Sequence, residues 1–152
     1  MMTLVLLRNT LLALHLLSAV VWVGGMAFTV FILRPTFELL EPAPRLQMHQ
    51  QTLKRFFRLT WHVLPILLLT GWAMVFAAWG GFAMLPWSIN VMQTLALIMT
   101  FVFLYTYFVP FKRLQRAIRP TPEMLGRIRQ FVTLNLVLGT ITIIAGSLGH
   151  VW

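Results

Sequence analysis

Four histidines and nine methionines are the side chains of this 152-residue chain best suited to hold a metal, because it has no cysteine and only three acidic residues, Glu38, Glu41 and Glu123. A neutral imidazole suits copper or haem iron, and a thioether selects Cu(I). His15 is the most informative of them. Together with Ser18, Trp22, Gly25 and Thr29 it recurs at spacings of three and four, so these residues share one helical face. The surrounding residues are apolar, and an ionisable side chain or an indole N–H should not face lipid, so this face must point inward. A second stripe, Asn135, Gly139, Thr142, Gly146 and His150, runs along the last apolar segment. Its glycines, like Gly25, permit either close helix packing or the approach of a flat ligand.

Depth limits which of these groups can cooperate. At about 1.5 Å per residue, His15 lies roughly 8–9 Å inside the outer end of the first apolar segment, and His150 roughly 3 Å inside the last. A shared site for His15 and His150 is therefore the leading candidate, completed by a soft ligand such as Met92 or Met74; Met84 lies towards the same side. No MxxM or MxM cluster occurs. His62 falls about 15 Å from His15 in depth, near the opposite face, and is a less favoured second site. His49 reads as a solvated loop residue. No carboxylate lies in any apolar segment, and no Ser–His–Asp, HExxH, P-loop or GxGxxG pattern is present. Catalytic residues are not identifiable, and the one enzymatic reading that remains is a haem-dependent membrane oxidoreductase.

The elements that must carry these residues follow from hydropathy. The chain is 59% hydrophobic and 10% charged, too few charges for the shell of a soluble domain. Apolar stretches at about 10–33, 59–79, 89–109 and 131–151 each approach the ~20 residues that cross a bilayer as a helix. The first is too long for the core of a secretion signal and reads as a retained span. Pro65 should kink the second, Pro110 should close the third, and 45–58 should extend the second as an amphipathic helix. Five Lys or Arg flank or occupy the first connection, six the second, and Arg8 is the twelfth, alone on the opposite side. This distribution puts both basic connections in the cytoplasm. The expected fold is an all-α, integral membrane four-helix bundle, a single domain over 1–152, with both termini on the outer (periplasmic) side. A net charge of +9 distributed in this way reflects topology and not nucleic-acid binding.

Three stretches, HLLSAVVWVGGMAF (15–28), RFFRLTW…LLLTGW (55–72) and RIRQFVTLNLVLGTITIIAG (127–146), resemble the copper-resistance D (CopD) family. The resemblance implies a multi-pass protein of the bacterial inner (plasma) membrane that handles or transports copper. It also implies the bilayer and a periplasmic copper carrier or membrane-complex subunit as partners. The spacing of His15, Trp22 and Gly25 is similar as well to the first helix of HemJ-type protoporphyrinogen oxidases, whose first-span histidine is implicated in haem b binding. The Leu-Pro-Arg segment of that family is absent, and Arg34-Pro35 occurs in reversed order. Copper handling is the leading expectation, a b-type haem redox protein the alternative, and a ligand-free accessory or assembly subunit the third.

Overall fold

The computed structural model describes residues 2–148. Helix α1 (Met2–Phe28) runs into a π-helical turn (Thr29–Leu33) and a short α2 (Arg34–Phe37). Helix α3 spans Pro42–Trp79, and a 3₁₀ turn (Phe82–Met84) leads to α4 (Trp87–Thr106). A second π turn (Tyr107–Phe111), α5 (Lys112–Arg116) and the long α6 (Pro122–Leu148) complete the described chain. Four of these helical stretches, Met2–Phe37, Pro42–Trp79, Trp87–Arg116 and Pro122–Leu148, are long and apolar enough to cross a membrane. The all-α membrane architecture follows from the sequence as expected.

The layout repeats. In each half a first helix ends in a π turn and one short helix, and a second long helix then starts with a proline in its first turn, Pro42 or Pro122. Proline suits that position because its missing N–H is unused there. The π turns also lie at prolines, Pro35 just after the first and Pro110 inside the second. Proline has no N–H and its ring crowds the preceding turn, so the regular i→i−4 register cannot pass through it. The N–H of Arg34 instead reaches the Thr29 carbonyl and that of Lys112 the Tyr107 carbonyl, each five residues back. Pro110 therefore does not close the third span, as its position in the sequence suggests; the wider turn absorbs it and the helix continues to Arg116. Pro65 sits inside α3, which runs on past it to Trp79.

Helix α3 has 38 residues, about 57 Å at 1.5 Å each against a hydrocarbon core of about 30 Å. Its first part, with Arg45, Lys54, Arg55 and Arg58, must project beyond the apolar layer at the end where the basic connections gather. We call this the basic end. At the other end Gly80 adopts φ 68° and returns its N–H to the Phe76 carbonyl at 3.2 Å, a left-handed cap that glycine takes without strain.

Helix α1 packs along α3 and α4 along α6, and the two pairs meet where α1 touches α6. Trp22, Met26, Phe57, Met99, Phe103, Ile128 and Val132 form the core, while Val20, Leu69 and Phe101 face outward, as in a protein whose surroundings are lipid. Aromatic side chains close the basic end between α3 and the second π turn: Phe57 meets Phe111 at 4.7 Å and Trp61 meets Tyr107 at 5.3 Å, both edge to face. Most threonine hydroxyls on the spans, including Thr60, Thr100, Thr106 and Thr140, donate to the carbonyl four residues back in their own helix. That keeps polar groups satisfied without water. Polar side chains that reach across to another helix are therefore the ones to explain.

Candidate functional site

Helix α1 turns Ser18, Trp22 and Met26 fully inward, with His15 and Gly25 half-buried along the same face. The inward direction of the stripe agrees with its periodicity. The His15 ring enters the seam between α1 and α3, where Nδ1 donates to the Leu67 carbonyl at 2.9 Å and lies 3.3 Å from Thr70 Oγ1. A carbonyl only accepts, so Nδ1 carries the proton and Nε2 of the neutral ring keeps its lone pair. Metal-ligating histidines are oriented in the same way, one nitrogen tied to a carbonyl and the other presented to the metal. Gly71 makes the approach feasible: a Cβ there would lie 3.0 Å from His15 Cε1. Thr70 in turn donates to the Ile66 carbonyl at 2.6 Å.

Met74 stands four residues beyond Thr70 on α3 and is half-buried, so it lies one turn further from the basic end on nearly the same face. Met92 occupies a different seam, between α4 and α6, where its sulfur would lie 3.1 Å from a Cβ at Gly146. Seven residues on, Met99 fills the space over Gly139, with its methyl carbon 3.0 Å from where a Cβ would sit. Met99 was not legible as a site residue, although its spacing from Met92 puts it on the same helical face. Its carbonyl accepts from Asn135 Nδ2 at 3.0 Å, and its sulfur lies 3.7 Å from Thr142 Oγ1. Asn135 is fully buried, and its Oδ1 has no hydrogen-bond partner.

The glycines of both stripes accommodate side chains: Phe56 over Gly25, Val23 and Met99 over Gly139, Met92 over Gly146. His62 is exposed, and its Nδ1 lies 2.8 Å from the Arg58 carbonyl of its own helix. His150 lies outside the described residues. Among the described residues, no three His, Cys, Asp or Glu side chains come together as a metal-binding group.

Two expectations change at the ends of the bundle. Ser88, which hydropathy leaves in the connection before the apolar stretch at 89–109, is completely buried in the first turn of α4, with its hydroxyl unpartnered. His49, which reads as solvated, is buried on α3; its ring meets Phe37 edge to face at 4.8 Å, and its Nε2 accepts from Arg129 Nη2 of α6 at 2.8 Å. The helical extension over 45–58 is present as expected, within an α3 that starts at Pro42; what buries His49 is that this stretch packs against Arg129 of α6 and Phe37. Lys54, Arg55 and Arg58 separate His49 from the apolar layer. Burial first, then the positive charges of Arg129, Arg34 and Arg45, push its pKa down to about 4. Burial also lowers the pKa of Arg129, and Glu38 is the carboxylate that opposes this. A cavity of about 20 Å³ adjoins the pair.

Four apolar helices, with most of their threonine hydroxyls satisfied within the same helix, define a multi-pass membrane protein. Residues 50–148 match the family model described as Copper resistance protein D, and the chain belongs to this family. The matched region takes in Met74, Met92, Gly139, Gly146 and His62, with His15, Ser18, Trp22 and Gly25 before it and His150 after it. No curated protein and no solved structure matches the chain.

Proposed function

We propose that the chain handles copper within the membrane as a copper-resistance protein, binding the ion as cargo in the half of the bundle away from the basic end. The basic end faces the cytoplasm in this reading, so the site opens towards the periplasm of a bacterial inner membrane, where a copper carrier or a membrane-complex partner would exchange the ion. Family membership supports the link to copper. The observation that carries the site is the His15 Nδ1 bond to the Leu67 carbonyl, which leaves Nε2 unprotonated and oriented. Met74, one turn along α3 from Thr70, is the soft donor nearest to it in register, and thioether with imidazole favours Cu(I). Met92, which lies on the α4–α6 side, is assigned to the same half, and His150, outside the described residues, is proposed with it from its position in the sequence.

The test is copper stoichiometry of purified protein under reducing conditions. His15→Ala is expected to lose the bound Cu(I), while His62→Ala, whose histidine is exposed and bonded within its own helix, keeps it. Equal retention in the two variants removes His15 from the site. A visible absorption band of bound haem in the same preparation would replace the copper reading with the haem one.

A further inference from the structure

At the basic end, the first π turn, α3 and α6 enclose the cavity of about 20 Å³, whose lining includes Thr29, Arg34, His49, Thr52, Arg129 and Thr133. Its electrostatics are unbalanced. Arg129 keeps its charge because a guanidinium does not deprotonate in proteins. The partner it has found, His49, is a neutral acceptor that neutralises nothing. The Arg129 Nε is buried and has no hydrogen-bond partner. Arg34 and Arg45 add positive charge close enough to act on both His49 and Arg129, against Glu38. A guanidinium with a dehydrated, unused N–H next to further cations has strong affinity for an anionic oxygen.

The cavity has the volume for one water or one oxygen atom. Its shape owes much to an irregular element: Thr29, Val30 and Leu33 of the π turn, and Arg34 just after it, all line it. Widened turns of this kind recur where helices build sites. The hydroxyls of Thr29 and Thr133 already donate to the Gly25 and Arg129 carbonyls. The free N–H capacity thus comes from the arginines. The lining passes from the apolar Val30, Leu53 and Val132 to Arg34 and Arg129, the gradient found at the boundary between acyl chains and headgroups.

We propose that this cavity receives one oxygen of a phosphate group, held by Arg129 and Arg34, with the rest of the phosphate at its mouth. An anionic phospholipid of the leaflet at the basic end and free inorganic phosphate present the same chemistry, and the two sources separate in one set of variants. Arg129→Gln removes the central donor. Thr52→Leu fills the cavity at constant charge, and Arg119→Gln removes one charge from the exposed connection elsewhere.

Protein purified in mild detergent is weighed by native mass spectrometry, and its lipid is extracted and quantified. The expected result is about one retained anionic phospholipid per wild-type and per Arg119→Gln chain, and at least a tenfold loss in Arg129→Gln and Thr52→Leu. If wild type retains no lipid, delipidated protein is heated in inorganic phosphate and in chloride of matched ionic strength. A rise in Tm specific to phosphate, absent from Thr52→Leu and Arg129→Gln, identifies the soluble anion as the ligand. If Arg129→Gln does not fold, the comparison of Thr52→Leu with Arg119→Gln decides. Neither lipid retention nor a phosphate response, or equal loss in Arg119→Gln, overturns the proposal. None of these outcomes depends on copper.

Discussion

Replacing Gly71 by alanine should weaken copper binding without touching a ligand. A Cβ at this position would lie 3.0 Å from His15 Cε1 and 3.3 Å from Nδ1. Ordinary carbon contacts sit at about 3.5–4.0 Å, so the ring must retreat by roughly 0.5 Å or more. The 2.9 Å bond from Nδ1 to the Leu67 carbonyl then stretches to about 3.4 Å or beyond, where little of it survives. An interhelical bond of this kind within a membrane is worth about 0.6 kcal/mol on average and about 1.7 at most. Alanine recovers about 0.8–1 kcal/mol of helix propensity over glycine, so the two effects nearly cancel in stability. Tm is therefore the insensitive readout. Affinity is the sensitive one, since loss of the group that orients a ligating histidine typically costs about 10–100-fold.

The assay is competition for Cu(I) between purified protein and a chromophoric chelator in detergent. Gly24→Ala is the matched control, because nothing lies within 4 Å of a Cβ there. The expected result is a fall of about one to two orders of magnitude for Gly71→Ala and none for Gly24→Ala. Equal affinities in the two variants would refute the orienting role of the Leu67 bond.

Asn135→Asp replaces the Nδ2 donor to the Met99 carbonyl with a carboxylate in the core of the bundle, and should destabilise the protein by on the order of 1–3 kcal/mol in unfolding titrations; a change within error would mean that water reaches Asn135. For topology, the chain has no native cysteine, and Ala83 and Ile118 are exposed positions on opposite ends of the bundle. Ala83→Cys should react with an impermeant thiol reagent on intact cells and Ile118→Cys only after lysis, and the reverse pattern inverts the orientation. The His49 pKa of about 4 in the fold lies below its ordinary 6.5. The unfolded chain therefore binds the proton first as pH falls. This contribution to stability should be complete above about pH 6.5 and decline towards pH 4, and the decline should be shallower in His49→Gln; identical pH profiles would exclude His49 as its source.

Features that depend only on order along one chain were legible before any fold. Long apolar blocks cross a bilayer wherever they occur, so four spans were readable from hydropathy alone. The period of His15, Ser18, Trp22 and Gly25 identified the inward face of α1, because a helix repeats every 3.6 residues whatever it packs against. A periodic stripe shows which way a face turns but not which neighbour it meets. That His15 lies against Thr70 and Gly71 of α3, while Met92 lies against Gly146 of α6, emerges from the packing of the helices. The same packing decides that the space over Gly25, Gly139 and Gly146 is taken by Phe56, Val23, Met99 and Met92, since a glycine opens room without specifying its occupant. His49 is the clearest case. Its neighbours in sequence, Gln47, Met48, Gln50 and Gln51, read as the hydrated face of an amphipathic helix, and nothing local marks Arg129, eighty residues later, as its partner. The amphipathic helix over 45–58 was readable, but the contact exists because that helix lies beside α6, so the burial of His49 is a property of how the helices meet.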